Sequence, residues 1–499
     1  METHPWRKST LFRLIDLETL NLAYNDFNCS QIPSQVGQLS RLTHLNLSYS
    51  WFSGEIPPQV FNLSRLISLD LSDDFGHLKL HKPSLRDLVQ NFIYLKELHL
   101  SRVNISSRVP DILANFSALE SLRLSGCELQ GEFPIGIFQL PNLKMLDISG
   151  NEDLKVYMPP FRLGSILKSL ILRRTYFVGE LPSSIGNLAC LEEDPDVLQW
   201  AHLTILDIRS NMLQGSLLSI PLWSTNYSDG SISLAWRNGC NLRFINLSQN
   251  RLQGQVPRSL ANCSMLEFID FGDNQLNDSF PCWLGNLPKL RVLILRSNGF
   301  YGALRKVGTG TFPKLHIIDL SQNEFTGDLP SAYFEIWDAM KITDTSHMTY
   351  MGDYTVGQFP YFLYGIYGYS ITMNNKGLEL EYLKIPSTLA AIDLSCPVPQ
   401  GKQFDTFDSN SYQGNSGLCG ALLEKKCGSF ETIPSTPSTF TEDENSRSFF
   451  KINWMIILIG YAGGLIVGVV AGNEFTKRKH DWFVKAFRRK LQEGKGRKA

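Results

Sequence analysis

The chain has 499 residues, a formal net charge of −1 and nine cysteines. A near-zero total charge singles out no partner class, and no C-x-x-C pair or His cluster has zinc spacing. No G-x-S-x-G, HExxH, Walker A or kinase signature occurs, so the chain reads as a non-enzyme that needs no cofactor.

At the N-terminus, Met1–Thr10 has no apolar h-region, so the expectation is a chain without a signal peptide and without a Cys-bearing cap. From Leu14 to Ser395 the pattern L-x-x-L-x-x-L-x-L-x-x-N then recurs about every 24 residues. It is clearest at Leu242, Leu266, Leu290 and Leu315, spaced 24, 24 and 25. A fixed period of this length means a solenoid, in which each repeat packs only against its neighbours. Paired apolar residues two apart, such as Ile245/Leu247 and Leu293/Leu295, are one face of a short strand. Stacked copies give a parallel sheet on the concave side.

Three residues past each pair stands Asn: Asn25, Asn151, Asn211, Asn250, Asn274, Asn298 and Asn323. A carboxamide carries donors and acceptors, so it can satisfy the backbone groups that a tight turn points inward. Ser50, Cys127 and Thr175 substitute for it, and Val103 breaks the rule. A second signature follows. Gly54-Glu55-Ile56-Pro57, Gly131-Glu132-Phe133-Pro134, Gly179-Glu180-Leu181-Pro182, Gly254-Gln255-Val256-Pro257 and Gly327-Asp328-Leu329-Pro330 share one frame. Gly permits a tight backbone there, and Pro fixes a bend without needing a donor. This G-x-I-P form resembles the plant-specific leucine-rich repeat. The expected fold is a leucine-rich-repeat superhelix with a parallel β concave face and a 3-10 and loop convex face, plus one transmembrane helix.

The repeat weakens in three places. Leu188-Ala189-Cys190-Leu191 runs into Glu192-Glu193-Asp194-Pro195, and Pro221–Asn238 has no clear L-x-L pair. Ile392-Asp393-Leu394-Ser395 starts a strand, yet Val398-Pro399 follows too soon to close a turn. The organisation read from this is a solenoid at 1–330, a Tyr-rich island at 331–384, a truncated repeat at 385–399 and a C-terminal cap at 400–427. An acidic Ser/Thr/Pro linker at 428–451 precedes a membrane helix at 452–472 and a basic tail at 473–499. Ile452–Gly472 carries no charge and is long enough to cross the hydrocarbon layer. From Lys477 onward ten Lys/Arg face Asp481 and Glu493, which places the tail in the cytoplasm and the N-terminus outside. Gly460, Gly464, Gly468 and Gly472 form overlapping GxxxG motifs, a groove for a partner helix.

Nine sequons suggest a secreted, glycosylated surface: Asn28, Asn46, Asn62, Asn104, Asn115, Asn226, Asn246, Asn262 and Asn277. Some are weak evidence, because L-N-L-S is also a repeat fragment. Cys419 and Cys427 flank a short Gly-containing loop and are the candidate cap disulfide, whereas Cys29, Cys190, Cys240 and Cys263 read as solenoid residues. Concave strand positions are the candidate ligand contacts, with Arg243, Glu267, Arg291 and Arg296 standing out. The island tyrosines offer rigid contact area, or the island is a packing spacer.

These features together resemble the plant receptor-like proteins, kinase-lacking leucine-rich-repeat receptors of the cell surface that include fungal-resistance receptors. Further residues carry the resemblance: Tyr367 followed by Lys376-Gly377, the run Pro399–Phe407, Gly414–Gly420, and acidic Glu442-Asp443-Glu444. The resemblance implies an extracellular peptide, protein or glycan ligand, and adds Tyr367, Lys376 and Gly377 to the candidate contacts. It also implies an adaptor receptor kinase paired through the membrane helix, and a ligand-recruited co-receptor kinase. It implies the plasma membrane as location and plant defence as role. The family has about four further repeats between Ser395 and Pro399, so this chain reads as internally deleted. A non-signalling decoy and a developmental peptide receptor stay open as alternatives. A secreted inhibitor of cell-wall hydrolases would not carry residues 452–472.

Overall fold

The computed structural model describes residues 10–73, 75–82, 84–161, 165–188, 203–215, 240–304, 310–328, 335–341, 350–351, 369, 371–375, 378–382, 384–394 and 417–419. They fall within one compact unit, residues 1–429. Thirteen three-residue strands form one parallel sheet in sequence order. They are β1 (Thr19–Asn21), β2 (His44–Asn46), β3 (Ser68–Asp70), β4 (Glu97–His99), β5 (Ser121–Arg123), β6 (Met145–Asp147) and β7 (Ser169–Ile171). Then come β8 (Ile205–Asp207), β9 (Phe244–Asn246), β10 (Phe268–Asp270), β11 (Val292–Ile294), β12 (Ile317–Asp319) and β13 (Ala391–Asp393). Each strand and the run that follows it make one coil of the superhelix.

The register is the same throughout: the middle residue of each strand faces the middle residue of the next, as in Leu45↔Leu69 and Ile269↔Leu293. Those middle residues point inward and are fully buried from Leu45 to Ile318. The leucine four residues before the strand's end and the one just past it bury alongside, so each coil adds a layer to one continuous core. β8 pairs directly with β9 (Leu206↔Ile245), so no further coil stands between them, as the missing L-x-L pair in 221–238 predicts.

The Asn column works as a brace between coils. The Asn250 side-chain nitrogen donates to the Ile208 carbonyl one coil back at 3.1 Å and to Leu247 O at 3.0 Å, while its oxygen accepts from Leu213 N at 3.1 Å. Asn151, Asn211, Asn274, Asn298 and Asn323 repeat the arrangement. Each buried bond contributes about 1 kcal/mol and spares a carbonyl from lying unpaired. Ser50 Oγ reaches Leu22 O at 2.6 Å and Cys127 Sγ reaches Leu100 O at 3.0 Å, so these substitutes keep the backward reach. Thr175 Oγ1 turns instead to Leu172 O of its own coil. Val103 fills the slot with a buried apolar side chain.

The convex side follows the G-x-I-P frame. Gly54 and Gly327 lie at φ +84° and +86°, where a Cβ would be strained. Pro57, Pro134 and Pro257 then precede 3-10 helices at Pro58–Asn62, Ile135–Gln139 and Arg258–Asn262.

One expectation needs correction. Cys240 and Cys263 are not plain solenoid residues: they form a disulfide that staples coils 9 and 10. Their equivalent positions, 23 residues apart in stacked coils, bring the two Cα atoms to 4.6 Å, within reach of a bridge. Residues Gly417–Cys419 pair in parallel with Thr326–Asp328 on the convex side. Ile392, at the core position of β13, is 45% exposed, because β13 ends the sheet.

The candidate bridge Cys419–Cys427 cannot be placed, since Cys427 lies outside the described residues. So do the membrane helix 452–472 with its glycines, the linker, the basic tail and Asn226. Among the described residues no helix is long and apolar enough to cross a membrane.

Candidate ligand-binding face

Three columns of side chains project from the sheet on its concave side. They are the first and third strand residues and the second residue past the strand, since neighbours along a strand alternate faces. On β8 to β12 the first column is apolar: Ile205, Phe244, Phe268, Val292 and Ile317. These residues are buried, although they face away from the solenoid core. They form a second apolar cluster with Ile171, Ile294, Met351, Tyr369, Ile371 and Ile385. Phe244 and Phe268 stack at 4.4 Å, and Tyr369 packs on both at 4.9 and 5.4 Å. The island thus lies on the concave face of coils 8–12. Within it, Ile371–Asn375 and Leu378–Tyr382 form an antiparallel hairpin. Tyr369 is 2% exposed, so this tyrosine is a packing residue, as the spacer reading has it.

The four charged candidates belong to this covered half. Arg243 faces Glu267 at 3.6 Å, and Arg296 binds the Asp273 carboxylate at 3.0 Å. Arg291 Nη2 donates to the Ser387 carbonyl on the segment that returns from the island, at 3.3 Å. All four are tied to the coils or to the island's base, which moves the open surface elsewhere. Tyr367, Lys376 and Gly377 lie outside the described residues.

Burial under the island has an electrostatic cost. It pushes the Asp270 carboxyl up to about 6, against the pull of Gly272 N–H, Arg209 and Arg296. Asp319 is raised by burial and by Asp393, its in-register neighbour on β13. One Asp319 oxygen accepts from Ser321, and the other is buried with no hydrogen-bond partner.

Coils 1–7 differ. Their first column reads Thr19, His44, Ser68, Glu97, Ser121, Met145 and Ser169, all but Met145 polar. His99 faces Asp70 at 3.6 Å and Ser121 Oγ at 2.8 Å, linking three neighbouring strands. Burial raises the Asp70 carboxyl, but His99 and Ser72 outweigh it and hold it below its ordinary value. Along the strand-start rim, Glu120 lies between Lys96 at 3.2 Å and Lys144 at 2.6 Å. The open face is therefore a hydrogen-bonding surface fixed by its own ion pairs. Among the described residues no His/Cys/Asp/Glu group of metal-binding size occurs.

The Leucine Rich Repeat family profile matches residues 41–63, 118–140 and 241–263, which correspond to coils 2, 5 and 9. Receptor-like protein 6 of Arabidopsis thaliana is 33% identical over 185 residues, 36% of this chain and 19% of its own length. Receptor-like protein 9DC3 of Solanum pimpinellifolium is 43% identical over 70 residues, 14% of this chain and 8% of its own. Over these stretches the chain is similar to plant leucine-rich-repeat receptor-like proteins. The matched part spans about a fifth or less of those two receptor-like proteins. Among solved structures, the Arabidopsis receptor kinase HAESA, in complex with the peptide hormone IDA and the co-receptor SERK1, aligns with a TM-score of 0.53. It is 25% identical, over 66% of this chain and 50% of that chain.

The sequons of the chain divide by position. Asn46 and Asn246 are strand residues on the concave face. Asn246 is 0% exposed, donates to Asp270 Oδ2 at 3.1 Å and accepts from Ser248. A glycan has no room at a buried, bonded amide, so these two sequons are repeat fragments of the L-N-L-S kind. Asn28, Asn62, Asn115 and Asn277 are exposed.

Proposed function

We propose that the chain is a kinase-lacking cell-surface receptor that binds an extracellular peptide or protein ligand on the open concave face of β1–β7. It signals through partner receptor kinases in plant defence. The observation that carries the reading is the division of the concave sheet, with polar, solvent-facing coils beside coils covered by the island. The Cys240–Cys263 bridge fits an oxidising, extracellular compartment, and the exposed sequons fit a glycosylated surface. The HAESA structure, with its bound hormone and co-receptor, supplies a precedent for this fold in ligand binding. Residues 452–472 anchor the chain in this reading, with an adaptor kinase seated on Gly460, Gly464, Gly468 and Gly472. A co-receptor kinase is recruited less well, because the family's further repeats between Ser395 and Pro399 are lacking.

The test is co-precipitation of receptor kinases from plant cells that secrete the full chain. Model GxxxG contacts contribute about 1–2 kcal/mol, so replacing Gly460, Gly464 and Gly468 by Leu should weaken recovery severalfold or more. Recovery of no receptor kinase with either form overturns the proposal.

A further inference from the structure

Four aromatic rings stand together on coils 1–3, at the edge where each strand turns toward the convex side. Tyr24, Trp51 and Phe75 are 55%, 42% and 58% exposed, and Tyr49 is half-buried. They pair across coils, Tyr24 with Tyr49 at 5.0 Å and Trp51 with Phe75 at 4.8 Å. The fold does not ask for them. Tyr24 and Tyr49 hold the turn position just before the Asn slot, at φ +60° and +52°, a conformation that disfavours a bulky side chain. Gly126, Gly150, Ser210, Gln249 and Ser297 make the same turn in other coils. Trp51 stands just after the slot, at φ +55°, where other coils carry Asp26, Glu128, Gln275 and Glu324. Exposed rings at strained positions mark a contact surface, since no packing need of the coil explains them.

The neighbouring coil supplies what covers this strip. Phe27 N–H donates to the Ser50 carbonyl at 3.1 Å, and Ser53 N–H donates to the Ser30 carbonyl at 3.0 Å. Asn28 and Trp51 lie between these two bonds, so they are neighbours across the boundary of coils 1 and 2, about 5 Å apart along the backbone stack. Asn28 heads the sequon Asn28-Cys29-Ser30. Its side chain is exposed and has no hydrogen-bond partner among the described residues, while its N–H donates to Asp26 Oδ1 at 2.8 Å. Asn104, the other sequon on this edge, is half-buried with its carboxamide oxygen held by Ser106 and His81. A pyranose ring carries C–H bonds on its face and hydroxyls at its rim. It can therefore lie on the electron-rich face of an exposed aromatic ring and keep its hydroxyls in water.

We infer that the N-glycan on Asn28 packs on this strip, with its first N-acetylglucosamine over Trp51 and the platform continued by Tyr24, Tyr49 and Phe75. The inference rests on the secreted, glycosylated reading. It adds a fixed seat for one sugar and turns that glycan into the cover of the edge of coils 1–3.

The probe is the attached glycan itself, on the full chain secreted from cells held to high-mannose glycans. Hydroxyl-radical footprinting with peptide mapping reads the exposure of Tyr24, Tyr49, Trp51 and Phe75. Ser30→Ala removes the sequon. The Ser30 hydroxyl is buried without a partner, so this change leaves the packing intact, and an unchanged circular dichroism spectrum checks it. Oxidation of the four rings should rise severalfold in Ser30→Ala. Ser117→Ala, which removes the exposed Asn115 sequon, should leave it unchanged. Trimming with an endoglycosidase to a single N-acetylglucosamine should keep the protection of Trp51, because the stacked sugar remains. Protection lost on trimming, equal oxidation with and without the Asn28 glycan, or a bare Asn28 beside other occupied sequons overturns the inference. If kinases are recovered but the rings stay exposed, the receptor reading stands alone. If the glycan shields the rings but no kinase is recovered, the cover stands and the receptor reading falls.

Discussion

Coils 1–7 and coils 8–12 share one backbone and one inner core, yet their concave faces do opposite things. In the first half the face is wet, Asp70 is held low beside His99, and Glu120 is paired with Lys96 and Lys144. In the second half the same columns carry Phe, Ile and Val, and the island lies on them. The solenoid register tolerates either choice because only inward residues bear on coil stacking. The outer columns are free to specify a partner, whether from the same chain or from outside it.

The largest expected effect breaks the covered half. Phe268→Ala should cost about 3–5 kcal/mol, since the ring is fully buried between Phe244 and Tyr369. Hydrogen exchange should speed up in 371–382 and leave β2–β5 unchanged. Equal acceleration in both halves would mean that the island is not an independent layer.

Removing the staple comes next. Cys240→Ser with Cys263→Ser should lower stability by about 2–4 kcal/mol in chemical denaturation. Unfolding of coils 9 and 10 should then begin earlier than that of coils 3–5, as read by limited proteolysis.

A pH titration sharpens the electrostatic side. The Asp270 carboxyl is raised by burial to about 6 in the folded chain, above its ordinary 3.8. Its contribution to stability is therefore full below pH 4 and is lost as pH rises through about 6. Asp270→Asn should remove roughly 3 kcal/mol of that loss at neutral pH. A melting profile with unchanged pH slope would contradict the assignment. The open half should show the reverse slope: Asp70 is held low, so its contribution is present above its ordinary value and lost toward strong acid.

The smallest effect is chemical. Glycopeptide mapping of secreted protein should find Asn28, Asn62, Asn115 and Asn277 occupied and Asn46 and Asn246 bare. Occupancy at Asn246 would show that the second-half strands are not buried during synthesis.

The solenoid was legible in the sequence because its period, its Asn column and its Gly-Pro frame are local and repeated. Even substitutes such as Ser50 and Cys127 could be placed, since one backward hydrogen bond defines the slot. The face was less legible. Arg243 and Arg291 stood out as charged strand-side residues, yet their partners, Glu267 and the Ser387 carbonyl, are set by a neighbouring coil and by the island's return. A usable signal was present: from Ile205 to Ile317 the outer strand position turns apolar, the mark of a strand buried on both sides. The Cys240–Cys263 bridge carried a signal too, in two cysteines at one repeat position. The pairing of Gly417–Cys419 with Thr326–Asp328 had none, because a three-residue strand carries no period.

The pairing of Gly417–Cys419 with Thr326–Asp328 sets an order of events at the ribosome. In coil 12 the back strand follows the front strand within five residues, from Asp319 to Glu324. In coil 13 it arrives 24 residues later, from Asp393 to Gly417. Coils 1–12 can close one after another as they emerge. Coil 13 gains its convex pairing only once residues 417–419 have emerged, so it is the last in the sheet to be paired on both sides.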